Sequence, residues 1–299
     1  MNKSDFFAAQ PGAARILQRM LETGRMAHAL LFWGPRGAPL QEAAELTAQA
    51  LVCEHPDAEG FGCGTCLACR NVLQHRGVGL YWNQRLQKKD AADLQEQFSL
   101  TSQGQRVSVL EHFDEATPQA ANALLKFIEE PQPGITAILT AAERSAVLPT
   151  IESRCLCIQL RPMPEKDRSA SLDTLPADLR QAAAAAGYGP QDFPEPDEFY
   201  ARIMPAARQY LSAWDRPEGL LELQLNLFPA KGAHTTRPMV RLFLEALQWQ
   251  VRQTELPIRD KAMIFDALIQ GIEAVKRTAD PALVLDQMAS RIRKGINHE

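Results

Sequence analysis

Residues 31–45 read LFWGPRGAPLQEAAE, and this stretch constrains the fold more than any other. The apolar run that leads into it, AHALLFW, has the texture of a strand, helix formers follow, and glycines and prolines lie between. Strand, tight loop and helix in that order make one nucleotide-binding βα unit, whose strand belongs in a parallel sheet. Four more strand-like runs, at 78–82, 107–110, 135–140 and 155–160, are mostly separated by helical or polar segments. That alternation predicts a mostly parallel α/β sheet covered on both faces.

The loop itself has lost its chemistry. A working phosphate loop reads G-x-x-x-x-G-K-[ST]: backbone amides cradle the phosphates, a lysine reaches the β/γ-phosphates and a hydroxyl reaches magnesium. Aligned from Gly34, with Gly37 inside the loop, the chain has Pro39 for the second glycine, Leu40 for the lysine and Gln41 for the hydroxyl. An aliphatic Leu40 cannot neutralise phosphate charge. The run at 107–110 ends in Glu111-His112, where hydrolysing relatives of such a sheet carry an Asp-Glu pair for magnesium and water. Asp114 comes three residues too late for that role and reads as the approach to a helix, with Thr117 as N-cap and Pro118 at the first helical position. Lys126, Glu129 and Glu130 read as an exposed face of that helix.

The next constraint is CEHPDAEGFGCGTCLAC, which spaces Cys53, Cys63, Cys66 and Cys69 as C-x9-C-x2-C-x2-C. Two intervening residues let both thiolates reach one tetrahedral ion at about 2.3 Å, and four thiolates close its shell. The expectation is one structural Zn2+ per chain, with His55 surplus. Cys155 and Cys157 are expected on opposite faces of the fifth run, as small buried residues and poor metal partners. Six cysteines in two local groups do not form a long-range disulfide framework, which fits a reducing, cytoplasmic setting. A net charge of −4 argues against an autonomous basic nucleic-acid binder, including a free-standing zinc module for DNA. No apolar run approaches the ~18–20 residues of a membrane span.

At 299 residues two or three domains are expected. An opening helix is predicted over 13–23, stopped by Gly24. Beyond Leu160, RPMPEKDRSASLDTLP reads as a hinge, 177–186 as a helix with five consecutive alanines, and GYGPQDFPEPDEF as a second break. Three amphipathic stretches follow, beginning at Arg237, Ile258 and Pro281, and suggest a helical bundle.

Taken together, HALLFWGP, the four-cysteine insertion, ANALLKFIEEP, LPTIESRC and the all-helical C-terminus resemble the AAA+ clamp-loader family of bacterial DNA polymerase III, its delta-prime branch in particular. The motifs cover the first 160 residues; beyond them the resemblance is one of architecture. It implies three parts: an AAA+ RecA-like domain with a zinc insertion at 1–161, a small helical lid at 162–192 and a C-terminal helical collar at 193–299. It also implies a place with gamma/tau and delta subunits in a five-subunit ring that loads the sliding clamp onto primed DNA, in the cytoplasm at the replisome. Gamma/tau members hydrolyse ATP, whereas the delta-prime branch has lost the loop and acidic pair, so no ATP of its own is expected here. In this family the arginine of the Ser-Arg-Cys motif reaches the neighbouring subunit's ATP. Carried over, Arg154, beside Ser153, becomes an arginine finger, a role suited to a permanently charged five-donor guanidinium. The lid departs from the active pattern: Arg180 precedes the alanine run and no equivalent follows Gly187. The alternative is a divergent, active gamma-like ATPase in which Arg36 or another cation replaces the lysine.

Overall fold

All five strand-like runs become strands of one parallel sheet in a computed structural model that describes residues 2–84, 86, 104–129, 133–193, 198–212, 236–276 and 280–296. The chain divides into two units, Met1–Met163 and Pro164–Glu299. The first contains α1 (Lys3–Ala9), α2 (Pro11–Thr23), β1 (Ala29–Trp33), α3 (Leu40–Val52), α4 (Leu67–Leu73), β2 (Leu80–Asn83), β3 (Arg106–Leu110), α5 (Pro118–Glu129), β4 (Ile135–Ala141), α6 (Pro149–Glu152) and β5 (Leu156–Gln159). Gly24 stops α2 in the left-handed region, φ 63°, where its N–H reaches the carbonyls of Met20 and Leu21. The Thr117 hydroxyl accepts the Ala120 N–H at 3.2 Å, so α5 begins as its sequence predicts.

The strand order is β2-β3-β4-β1-β5. Leu31 at the centre pairs with Leu139 on one side and Cys157 on the other. Because β1, β3 and β4 are covered on both faces, nearly all of their residues are buried; β1 is wholly apolar, while β3 and β4 also bury Arg106, Ser108, Thr136 and Thr140. The two-residue period sorts their side chains: Leu31, Leu110 and Leu139 join Leu124 and Ile128 of α5 on one face, while Leu30, Phe32 and Val109 join Leu17 of α2 and Ala44 of α3 on the other. The same period corrects the expectation for Cys155 and Cys157. Residues two apart share a face, and both thiols pack against the α5 side.

The second unit is helical: α7 (Glu165–Ser171), α8 (Ala177–Ala185), α9 (Glu198–Ser212), α10 (Arg237–Gln253), α11 (Ile258–Lys276) and α12 (Pro281–Ile296). One continuous core runs from Leu172 and Leu179 through Phe199 and Phe243 to Leu268, Leu285 and Ile292. The stretch read as a hinge contains α7. Two prolines conceal it in the sequence, and a tertiary contact supports it: Arg168 donates from Nε and Nη2 to the carbonyl of Ala184, in the last turn of α8. Among the described residues, no helix is long and apolar enough to cross a membrane.

Candidate functional site

The loop from Gly34 to Pro39, followed by Leu40 and Gln41 at the start of α3, leaves the C-terminal end of β1, the position at which open parallel sheets bind ligands. Gly34 is required by packing alone, since a Cβ there would stand 2.4 Å from the Leu160 carbonyl oxygen. Gly37 holds φ 87°, and its carbonyl accepts the Met163 N–H at 2.8 Å. Two amides of the loop are engaged within it: Ala38 N–H donates to Pro35 O at 3.0 Å and Leu40 N–H to Ala38 O at 2.8 Å. Pro39 has no N–H to offer and no side-chain cap for α3. Leu40, in the lysine's place, packs against the core under α3.

Gln41 turns along its own helix, donating from Nε2 to Glu45 Oε1 at 2.9 Å. Glu45 Oε1 in turn lies 3.1 Å from His75 Nε2, and the His75 ring stacks on Trp82 with centroids 3.8 Å apart. This knot of Gln41, Glu45, His75 and Trp82 has no motif spacing and is invisible in the sequence. Only the pairing of β2 with β3 brings Trp82 beside the acidic position, matching it with Val109.

At that position Glu111 is 4 % exposed, and burial pushes its carboxyl above the usual range. His75, His112 and Trp82 pull the other way, although neither Trp82 Nε1 nor Glu111 Oε1 completes a hydrogen bond. His112 adopts φ 50°, and its N–H donates to Thr140 Oγ1 at 3.2 Å. Asp114 accepts the N–H groups of Ala142 and Glu143 on Oδ2, each at 3.2 Å, so it clamps the end of β4.

The Ser-Arg-Cys corner follows α6. Ser153 caps that short helix, and both it and Arg154 are exposed. Arg154 Nη1 donates to the Thr150 carbonyl at 2.7 Å and to Ser153 Oγ at 3.3 Å, and Nη2 lies 2.8 Å from Glu129 Oε1 at the end of α5. Lys126 and Glu129 are exposed, as their helix face predicts; Glu130 lies outside the described residues. Arg180 donates to the carbonyls of Asp173 and Leu175, and Gly187 turns at φ 83° after α8.

The four cysteines form the tightest cluster. Cys53 ends α3, Cys66 caps α4 and Cys69 is buried within α4. Their sulfur atoms all lie within 4.8 Å of one another. Backbone N–H groups point at the sulfurs: His55 and Cys63 donate to Cys53 Sγ at 3.3 Å, Cys66 to Cys63 Sγ at 3.3 Å and Cys69 to Cys66 Sγ at 3.4 Å. Hydrogen bonds from Thr65 and the backbone draw the Cys63 thiol down to about 5, whereas burial pushes Cys69 up. Four soft donors with amides directed at their sulfurs fit a structural metal ion.

A family model described as DNA polymerase III, delta subunit, matches residues 9–164. The chain is 32% identical over 176 residues to the DNA polymerase III subunit delta' of Bacillus subtilis, covering 56% of this chain and 53% of that one. Against the delta' subunit of Pseudomonas aeruginosa it is 35% identical over 168 residues, covering 54% and 50%. The chain thus spans about half the length of the curated relatives it matches. Among solved structures, a DNA polymerase III gamma subunit-related protein of Thermotoga maritima aligns over 94% of this chain and 98% of that one, with TM-score 0.55 and 13% identity, a likeness of fold.

Proposed function

The chain belongs to the DNA polymerase III delta-subunit family, and from that membership we propose that it is a delta-prime-type clamp-loader subunit that hydrolyses no ATP itself and lends Arg154 to a neighbour's ATP. Its partners in this reading are gamma/tau and delta subunits in a five-subunit ring, which places the sliding clamp on primed DNA in the cytoplasm. Three parts share the work: 1–161 carries the loop, corner and metal module, 162–192 is the lid, and 193–299 is the collar that holds the ring. The observation that carries the reading is a contrast within one sheet domain. The amides of Ala38 and Leu40 are bonded within the loop and Pro39 between them has none, while the guanidinium of Arg154 stands exposed.

The chemistry follows from charge. Phosphoryl transfer spreads negative charge over the γ-phosphoryl oxygens, and a guanidinium supplied from a neighbouring subunit stabilises it with directed donors. This chain's own loop offers no cation at position 40 and no free amides at 38–40. Cys53, Cys63, Cys66 and Cys69 would hold one Zn2+ as a closed structural centre, tying the end of α3 to the start of α4. Ser153 caps α6 and bonds the guanidinium, which makes it a support for Arg154.

The test is ATP hydrolysis by the reconstituted loader, with clamp and primed DNA, comparing wild type with Arg154→Ala at matched assembly. Turnover at the adjoining site is expected to fall by roughly 10³-fold with the ring intact. An unchanged rate would leave the chain a scaffold.

A further inference from the structure

The ion pair between Arg154 and Glu129 is not predicted by either motif, and the chemistry of α5 gives it weight. Glu129 is the last residue of α5, where the helix dipole presents its negative end and a carboxylate is unfavourable. Lys126, in the same last turn, has the sign the helix wants. A carboxylate in the wrong place for its own helix is explained by what it meets: Arg154 Nη2 at 2.8 Å. On the other side the guanidinium is held by its own corner, through the Thr150 carbonyl and Ser153 Oγ, both bonded to Nη1. The corner therefore engages Nη1 through two hydrogen bonds and Glu129 holds Nη2 as an ion pair, while Nε makes no contact among the described residues. A long exposed arginine without such contacts samples many rotamers, and a finger acting across a subunit boundary needs one.

We propose that Glu129 is a positioning residue for Arg154: from the end of α5 it fixes the plane of the guanidinium so that the unengaged donors are presented to a phosphate outside this chain. The inference rests on the trans role proposed above for Arg154. Glu129 touches neither substrate nor reacting atoms and acts through the arginine alone. Because the pair is exposed, its effect is small beside that of the arginine itself.

The experiment is a double-mutant cycle in the reconstituted loader, with clamp and primed DNA, reading kcat and KM for ATP together with ring assembly. Arg154→Ala should cost roughly 10³-fold in kcat at the adjoining site. Glu129→Ala should lower kcat about three- to fivefold at unchanged KM and assembly. Glu129→Gln, which keeps an acceptor on Nη2, should recover most of that loss. In the Arg154→Ala background, Glu129→Ala should cost nothing more. A full rate with Glu129→Ala, while Arg154→Ala is inactive, would overturn the positioning role and leave the finger standing. A faster rate would make Glu129 a competing anion, and equal losses in both backgrounds would place its action elsewhere; either overturns the proposal. No effect of Arg154→Ala would instead remove the trans reading, and the proposal with it.

Discussion

The loop after β1 and the cysteine module flank the same helix, α3, and their backbone N–H groups are directed differently. In the loop the amides of Ala38 and Leu40 are bonded to Pro35 and Ala38 carbonyls, and Pro39 removes the amide between them. In the module the amides of His55, Cys63, Cys66 and Cys69 point at sulfur. At one end of α3 two amides are turned inward, and at the other four amides are directed at a cluster of sulfur atoms. On the account proposed above, the frame of a nucleotide site is kept for packing while metal-binding chemistry is kept a helix length away.

The largest test of that contrast is metal removal. Zinc supplies about 10–16 kcal/mol to zinc-finger peptides, and we expect chelation or Cys66→Ser to cost the first unit several kcal/mol by thermal or urea denaturation. Metal analysis of reduced protein should find one ion per chain, and finding none would break the comparison. On the loop side, Gly34→Ala drives a Cβ into the Leu160 carbonyl and should cost about 1–3 kcal/mol, with or without nucleotide. A neutral substitution would mean that the glycine is not there for the sheet.

A pH experiment sharpens the same point at the acidic position. Burial raises the Glu111 carboxyl in the folded state, so the fold holds more protons than the unfolded chain, and the stability contributed by the neutral form is lost as pH rises through the raised value. Glu111→Gln should therefore gain stability over wild type, and the gain should grow with pH from the ordinary carboxylate range upward. A gain confined to low pH would show a carboxylate stabilised by a cation instead. Smallest of all, His55→Ala should leave metal content unchanged, because four thiols already close the shell.

Much of the first unit was legible in the sequence because its signals are local. Central parallel strands are apolar runs, Thr117-Pro118 is a helix start, and C-x2-C spacing brings thiols together. What escaped was long-range or masked. The helix α1 is only seven residues long and begins at an Asn2 cap. The helix α9 hides behind an internal Pro205, and α7 behind Pro162 and Pro164. The knot of Gln41, Glu45, His75 and Trp82 needs the β2–β3 pairing, and the Glu129–Arg154 pair needs α5 to end beside α6. No spacing rule reaches across 25 or more residues to announce either.

The most direct test of the central claim, that this chain keeps the frame of a nucleotide site without its chemistry, is a titration of the isolated chain with Mg-ATP by calorimetry. We predict no saturable binding up to millimolar nucleotide and no hydrolysis. Micromolar binding, with or without turnover, would contradict the account: the loop would have to open its amides, and a cation such as Arg36 would have to stand in for the missing lysine.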